Sequence, residues 1–187
     1  MEDRDWTCPD ADEDGFVFFE VLREKAAELT QEQFLQQFPR PALLVVYREP
    51  DTDGDVLDPT NSGVQLLTVS IKGTHILRYL GKVAFVTKRP GNPFAHLISV
   101  GRSSKNDITV AVDSVSKVHG YFVPEGDGWG FTDHGSTNGS LLGSTELESG
   151  RKVPLSNGDI LRLGLEVHFE FLSPEALYHK ARPRTRS

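Results

Sequence analysis

The chain of 187 residues contains a single cysteine, Cys8, and no long hydrophobic run. One thiol cannot form an internal disulfide, which excludes the class of small secreted domains held together by disulfides and fits a reducing compartment. No apolar stretch approaches the roughly 18–20 residues of a membrane-spanning helix, and the acidic start Met1–Asp5 lacks the basic opening of a signal peptide. We therefore expect a soluble, cytoplasmic protein without a membrane partner.

Basic residues are fewer than acidic ones, since 20 Lys and Arg stand against 27 Asp and Glu and give a formal net charge of −7. The deficit is local: residues 1–75 carry a net charge of −10 and residues 76–187 carry +3. No extended basic stripe with interleaved aromatic residues is present, so we expect no nucleic-acid partner. The uneven charge indicates two segments with different roles.

Residues 1–75 are predicted to form an acidic α+β extension of unknown role. Apolar residues recur with a helical period from Phe16 to Leu29, and Thr30 is a candidate N-cap for a short helix, Gln31 to Phe38. The apolar run Leu43 to Tyr47 is typical of a buried strand, and Val64 to Ile71 is a second candidate strand. This segment contains no recognisable chemistry.

Residues 76–174 show a different pattern, in which short β-prone runs alternate with turn residues. Seven or more such strands in about ninety residues, with little helix, predict an antiparallel β-sandwich. The remaining residues, 175–187, are rich in Lys and Arg without apolar periodicity and are predicted to be a disordered tail. The predicted strands include Val83–Val86, Leu97–Val100, Ile108–Val110, Tyr121–Val123, Trp129–Phe131, Ile160–Leu163 and Val167–Phe171.

Polar and cationic side chains concentrate in three loops of this predicted sandwich. The loops read Gly101-Arg102-Ser103-Ser104-Lys105-Asn106-Asp107, Ser114-Val115-Ser116-Lys117-Val118-His119 and His134-Gly135-Ser136-Thr137-Asn138-Gly139. Arginine presents a planar fork of donors to phosphate oxygens, a serine hydroxyl adds a short donor, and lysine adds a point charge. An asparagine amide both donates to and accepts from a peptide backbone. This set suits an anion attached to a peptide.

The same loops resemble a known family, the forkhead-associated (FHA) domain. The resemblance rests on four motifs in order: Gly101-Arg102, Ser116–His119, Ser136–Gly139 and the run Leu155–Gly164. It covers about Lys82 to Leu172 and leaves the first seventy-five residues unexplained. It implies a β-sandwich of about eleven strands whose loops bind phosphothreonine peptides without catalysis, cofactor or metal.

The resemblance also implies a role for each position that matches. Arg102 and Ser116 would contact the phosphate, and Lys117 would stand where the family often has arginine and add a further charge. Asn138 would hold the peptide main chain. Thr137 would shape the pocket for the phosphothreonine methyl group. Lysine lacks the bidentate geometry of arginine, so Lys117 is a departure from the family pattern.

Three further residues are expected to support the loops and not to touch the ligand. By resemblance, His119 braces the loop, and Gly101 and Gly139 serve backbone geometry. A second departure is the turn Gly143-Ser144, which replaces the commoner Asn-Gly. Glycine at the first central position suits a type II′ hairpin, so we expect this change to be benign.

The sequence predicts a phosphothreonine-recognition module in signalling, dependent on an upstream Ser/Thr kinase, and two rivals stay open. In one, the fold serves as a phosphate-independent scaffold or secretion component; in the other, residues 1–75 hide an enzyme. No Gly-x-Ser-x-Gly, nucleotide P-loop or metal-ligand spacing occurs, so we expect no catalytic residue and no metal. Asp10 to Gly15 opens like a calcium loop, but its twelfth position is Val21 and not a carboxylate.

Overall fold

The computed structural model describes residues 6–46, 78–92 and 96–182. The predicted strand Val64 to Ile71 and the last residue of the predicted strand ending at Tyr47 lie outside these residues. None of the described helices is long and apolar enough to cross a membrane.

Strands dominate the described residues, which confirms the predicted mainly β class. The described residues contain twelve strands, where the resemblance implied about eleven, and three helices. In chain order they are β1 (Phe16–Phe18), α1 (Phe19–Glu28), α2 (Gln31–Gln37), β2 (Ala42–Val46), β3 (Lys82–Phe85), β4 (Ile98–Gly101), β5 (Ile108–Thr109), β6 (Gly120–Glu125), β7 (Gly128–Asp133), β8 (Ser140–Leu142), β9 (Thr145–Glu146), β10 (Lys152–Leu155), β11 (Ile160–Leu163), β12 (Val167–Leu172) and α3 (Pro174–Ala181).

The strands form two sheets that pack face to face as a β-sandwich. One sheet has the order β1-β3-β2-β12-β11-β8-β9 and the other has the order β10-β7-β6-β4-β5. Among the strands of residues 6–46, 78–92 and 96–182, all pairs are antiparallel except β4 with β5. The core between the sheets is built from alternate residues of each strand, such as Val167, Phe169 and Phe171 of β12, which pack with Phe122 and Phe131 of the other sheet.

A layer of helices covers the outer face of the seven-stranded sheet. Leu43 and Val45 of β2 point into the sandwich core, whereas its alternate residues Ala42, Leu44 and Val46 join a second apolar cluster with side chains of all three helices. A strand that is covered on both faces needs apolar residues at every position. This double burial explains the continuous apolar run that predicted β2.

The helices differ in detail from the prediction. Residues 16–18, expected to begin a helix, instead form β1 and pair with β3, so α1 begins only at Phe19. The predicted start of α2 is confirmed, because Thr30 and Gln33 form a capping box.

The disordered tail predicted from residue 175 is wrong for residues 175–181, which belong to α3. Ser173 caps this helix and Pro174 occupies its first turn. Leu177, Tyr178 and Ala181 are buried against the other two helices. The apolar residues of α3 cover only two helical turns and lie among basic residues, so the sequence shows no clear helical periodicity there.

Strands from both sides of residue 75 alternate within one sheet, since β2 lies between β3 and β12. Side chains add to this connection. The Tyr79 hydroxyl donates to Asp14 and accepts from the Ala111 amide. Asp12, in the calcium-like stretch, accepts from Lys82 Nζ at 2.7 Å and from the Phe16 amide at 2.9 Å. In this acidic stretch, the Asp12 carboxylate is thus occupied by the side chain of Lys82 and by a backbone amide of the same protein.

Candidate functional site

Three loops meet at one end of the sandwich. The Arg102 loop (residues 102–107) links β4 to β5, the Ser116 loop (residues 110–119) links β5 to β6, and the Asn138 loop (residues 134–139) links β7 to β8. The register explains their proximity: Gly120, at the start of β6, lies opposite both Val100 near the end of β4 and Asp133 at the end of β7. The sheet therefore brings together loops that are far apart in sequence.

The Arg102 and Ser116 loops are joined backbone to backbone. The Arg102 amide donates to the Ser116 carbonyl at 2.8 Å, and the Ser103 amide donates to the Lys117 carbonyl at 3.1 Å. Gly101 permits this approach, because a Cβ there would lie only 2.6 Å from the Lys117 carbonyl oxygen and 2.9 Å from that of Ser116. The absence of a side chain at Gly101 is therefore what allows the two loops to approach this closely.

The guanidinium of Arg102 is fixed by a hydrogen bond from its Nε, while its terminal nitrogens lie near solvent. Its Nε donates to the Val115 carbonyl at 3.2 Å, while the side chain as a whole remains 42% exposed. Asp113 lies on the same edge, with Oδ1 3.8 Å from Arg102 Nη1, and is 89% exposed. Lys117 is also exposed. Arg102 is therefore aimed by the loop but keeps terminal donors available to a ligand.

Ser116 and Thr137 connect the second and third loops. The Thr137 amide donates to Ser116 Oγ at 3.0 Å, and Ser116 Oγ donates to Thr137 Oγ1 over a longer distance of 3.3 Å. The two hydroxyls, 21 residues apart in sequence, thus lie side by side near the surface. A serine hydroxyl rotates easily, so it can turn to a ligand while its oxygen keeps the amide bond.

Asn138 is exposed, and its side chain spans the gap to the Ser116 loop. Its Nδ2 donates to the Ser114 carbonyl at 2.8 Å. Gly139 follows with φ of +69°, a left-handed conformation that glycine adopts without strain. The Gly139 carbonyl accepts from the Gly164 amide at 3.0 Å, which fixes the loop on the turn between β11 and β12.

His119 is fully buried beneath the loops and holds two of them together. Its Nδ1 accepts from the Ser116 amide at 3.1 Å, so the proton of a neutral ring lies on Nε2. That nitrogen lies 3.2 Å from the Gly139 carbonyl and 3.1 Å from Ser140 Oγ. Burial lowers the pKa of His119, and the attraction of Asp133 only partly opposes this effect. The ring therefore works as a neutral donor and acceptor.

Asp133 ends β7 and anchors the Asn138 loop from below. Its carboxylate accepts from the Ser136 amide at 2.9 Å, from Ser136 Oγ at 2.6 Å and from Ser140 Oγ. Burial alone would raise the pKa of Asp133, but these hydrogen bonds together outweigh it and hold the pKa below its ordinary value. A permanent buried anion thus orients the start of β8.

A known protein family matches the part of the chain that contains this site. Residues 98–164 match the family described as FHA domain. These residues are an FHA domain. The match begins at β4, ends just after β11 and includes all three loops.

Solved structures from a plant and from bacteria are similar to the chain. An FHA domain of a hypothetical protein from Arabidopsis thaliana is 24% identical, with a TM-score of 0.44, and the match covers 72% of this chain and 85% of that one. The FHA domain of the CT664 protein from Chlamydia trachomatis is 18% identical, with a TM-score of 0.46, and the match covers 72% and 97%.

A third structure, Mycobacterium tuberculosis EmbR in complex with a low-affinity phosphopeptide, is 28% identical, with a TM-score of 0.38. The match covers 42% of this chain and 20% of that one, so this chain spans a fifth of the EmbR chain. No match was found among curated proteins.

Every residue predicted from the sequence lies at the loop end of the FHA domain. The five predicted ligand contacts reach the surface, whereas Gly101 and His119 are buried and Gly139 is half-buried. The predicted contacts are Arg102, Ser116, Lys117, Thr137 and Asn138.

Sequence reasoning missed the buried polar residues that hold these loops. Asn106 is 2% exposed, and its Nδ2 donates to the Ser103 carbonyl at 2.8 Å and to the Lys117 carbonyl at 2.7 Å. Asp107 is buried as well and accepts from Lys88 Nζ and the Ser99 amide. The Asn-Asp pair was visible in the sequence, but only the fold shows that both side chains turn inward.

The neutral His119 predicts that the FHA domain loses stability in mild acid. Since its pKa is lowered in the folded protein, the unfolded chain takes up a proton more readily once the pH falls below about 6.5. We expect the free energy of unfolding to drop by about 1 kcal/mol between pH 7 and about pH 5.5. Asp133, whose pKa is also lowered, loses its contribution only at more acid pH, below its ordinary value of 3.8.

Urea denaturation at a series of pH values measures this effect. The variant His119→Gln, whose amide does not titrate, should show a flatter pH profile over this range. The variant His134→Gln, at an exposed position, is the matched control and should keep the slope of the unsubstituted protein. A slope that survives in His119→Gln would assign the loss to other groups.

Proposed function

We propose that this protein recognises phosphothreonine in a partner and so forms a phosphorylation-dependent complex. The observation that supports this most strongly is the junction of the three loops, where the Arg102 guanidinium is held by the carbonyl of Val115, the residue before Ser116, and the Ser116 hydroxyl is paired with that of Thr137. The FHA domain is an interaction module, and no step of covalent chemistry is required of these residues. The cytoplasmic location and the upstream Ser/Thr kinase expected from the sequence are part of the same proposal.

The phosphate would lie between Arg102 and Ser116. At neutral pH a phosphothreonine carries close to two negative charges and three acceptor oxygens. Arg102 offers its terminal donors, and the Ser116 hydroxyl exchanges its long bond to Thr137 for a shorter one to a phosphate oxygen. Lys117, exposed on the neighbouring residue, adds a positive charge without fixing the geometry.

Asn138 would contact the peptide backbone of the ligand, and Thr137 would contact the phosphothreonine methyl group. The Asn138 amide is tied to the Ser114 carbonyl through Nδ2, which leaves its Oδ1 to accept from a peptide N–H. Thr137 lies at the side of the Ser116 hydroxyl, where the methyl group of phosphothreonine would meet it. Burial of that one methyl contributes only about 0.8 kcal/mol, so a strong preference over phosphoserine has to come from shape.

Two peptides that differ only in phosphorylation of one threonine test this function. Calorimetry with the full chain should give measurable affinity for the phosphopeptide and none or little for its unmodified twin. Equal affinities would refute the proposal and favour the rival, a phosphate-independent scaffold. Binding should also weaken below about pH 6, where the phosphate takes up its second proton. Because His119 responds in a nearby range, the folded fraction has to be measured at each pH.

Asp113 should lower the affinity of the site for phosphate. Its carboxylate lies 3.8 Å from the Arg102 guanidinium and therefore competes with the phosphate for that positive charge. The variant Asp113→Asn removes the negative charge and keeps the shape. We expect it to bind the phosphopeptide about twofold to fivefold more tightly, as befits one exposed ion pair. Calorimetry at low salt measures the change, and added salt should reduce it. An unchanged or weaker affinity would contradict this assignment of Asp113.

A further inference from the structure

The turn between β11 and β12 borders the proposed site on the side of Asn138. The Gly164 amide donates to the Gly139 carbonyl at 3.0 Å. Gly164 has φ of +66°, and a Cβ at this position would overlap the Ser114 carbonyl oxygen, the same oxygen that accepts from Asn138. The turn is therefore pressed against both loops that would hold the peptide main chain.

The tip of this turn presents an apolar side chain to solvent. Leu165 is 65% exposed, more than any other large hydrophobic residue in the described part of the chain. At this exposure the side chain contributes little to the core, although Leu163 and Val167, two residues before and after it in sequence, both belong to the core. A leucine that leaves most of its surface in water beside a peptide site is a candidate contact for the ligand.

Two carboxylates lie near the contact between Gly139 and this turn. Glu166 follows Leu165 in sequence and accepts from Ser114 Oγ at 3.4 Å. Glu146, on β9, has its Oε1 3.6 Å from the point that a Cβ on Gly139 would occupy. In the part of the chain that the structure describes, neither carboxylate forms an ion pair. On one side of Asn138, Arg102 and Lys117 outnumber the single carboxylate of Asp113, whereas the carboxylates of Glu146 and Glu166 lie toward this turn.

We propose that the phosphothreonine ligand carries an arginine or lysine that lies over this turn. The inference rests on the proposed function and adds to it the chemistry of one flanking residue. A long basic side chain suits both features at once, because its methylene groups can cover Leu165 while its charged head meets Glu166 and Glu146. Such a residue also fits the protein as a whole, whose net charge is −7.

Other side chains fit the turn less well. An aliphatic residue would cover Leu165 but would leave the two carboxylates to water. An acidic residue would be repelled by both of them. A peptide that combines one phosphate with one nearby basic residue therefore matches both parts of the surface, the cationic loops and the acidic turn. Phosphopeptides with acidic flanking residues match only the first part.

An arginine scan of a phosphopeptide tests the inference. The probe is a short peptide with central phosphothreonine and alanine elsewhere, in which each flanking position is changed to arginine in turn, and every peptide has an unphosphorylated twin. We expect arginine at one or two positions on one side of the phosphothreonine to improve affinity about threefold, and glutamate there to reduce it. Higher salt should shrink the gain.

Variants of the full chain locate the effect. The double variant Glu146→Gln/Glu166→Gln should abolish the arginine gain and leave the ratio between phosphorylated and unmodified peptide unchanged. Leu165→Ala should reduce the gain by about half. Glu175→Gln is the matched control, because Glu175 is exposed at the start of α3, beyond the far end of β12, and should change nothing.

The two hypotheses fail in different ways. A peptide set in which phosphorylation has no effect refutes the proposed function. A set in which phosphorylation strengthens binding but arginine helps at no position, or helps equally in the double variant, refutes the inference about the turn and leaves the proposed function standing.

Discussion

Replacement of Arg102 with alanine is expected to weaken binding of a phosphothreonine peptide by about tenfold or more. A hydrogen bond to a charged group is worth roughly 1.5–3 kcal/mol, and Arg102 is placed to make at least one such bond. The loss should fall on the phosphorylated peptide alone, so that its affinity approaches that of the unmodified twin. Calorimetry or fluorescence anisotropy with both peptides measures the two affinities.

The side chain of Arg102 also has a structural contact, since Nε donates to the Val115 carbonyl. The variant Arg102→Lys keeps a positive charge without the planar fork and should recover part of the affinity. Arg23→Ala is the matched control, because Arg23 pairs with Glu20 on α1, in the helical layer. Thermal unfolding of each variant separates loss of binding from loss of fold. Undiminished affinity in a folded Arg102→Ala would exclude Arg102 from the phosphate site.

Gly101→Ala should destabilise the whole protein by about 3 kcal/mol. The new methyl group would meet three backbone atoms of the Ser116 loop within 3 Å: the carbonyl oxygens of Ser116 and Lys117 and the amide nitrogen of His119. Backbone atoms that are held in a hydrogen-bonded ladder cannot move aside as a flexible side chain can. Either the Ser116 loop separates from β4 or the protein unfolds. Phosphopeptide binding should be lost in both cases.

Urea denaturation gives the change in the free energy of unfolding for this variant. Gly128→Ala is a matched control at the opposite end of β6 and β7, where a Cβ would have only an ordinary contact, 3.6 Å from the Glu125 carbonyl oxygen. Its stability should stay within about 0.5 kcal/mol of the unsubstituted protein. If the two variants were equally stable, close packing of the loops would not be the reason for glycine at position 101.

The sequence was sufficient to predict the sandwich and the loops of the candidate site. Strands such as β11 and β12 have mostly apolar residues, which alternate with polar ones in β12, and turn residues bound them; this local signal is strong. The residues at the loop tips were also visible, because Arg102, Ser116 and Asn138 belong to ordered motifs. These parts of the protein depend mainly on short-range patterns, which a sequence displays directly.

Features that depend on contacts between distant residues were not predictable in the same way. The burial of Asn106 and the anchoring role of Asp133 arise from hydrogen bonds across loops, and neither side chain differs in type from an ordinary turn residue. Helix α3 was missed because its stability comes from burial of Leu177 and Tyr178 against α1 and α2. A pattern of two turns among basic residues carries too little information to predict that packing.

The position of β2 has a consequence for how the domain can be isolated. Residues 98–164 contain all three loops and the whole five-stranded sheet, yet four strands of the seven-stranded sheet, β1, β2, β3 and β12, lie outside that range. A fragment cut to those residues would keep only β11, β8 and β9 of the seven-stranded sheet and would expose the apolar face of Leu161 and Leu163 along a new open edge. The loop end of the sandwich and the N-terminal helices are thus connected through the seven-stranded sheet, to which both β8 and β2 belong.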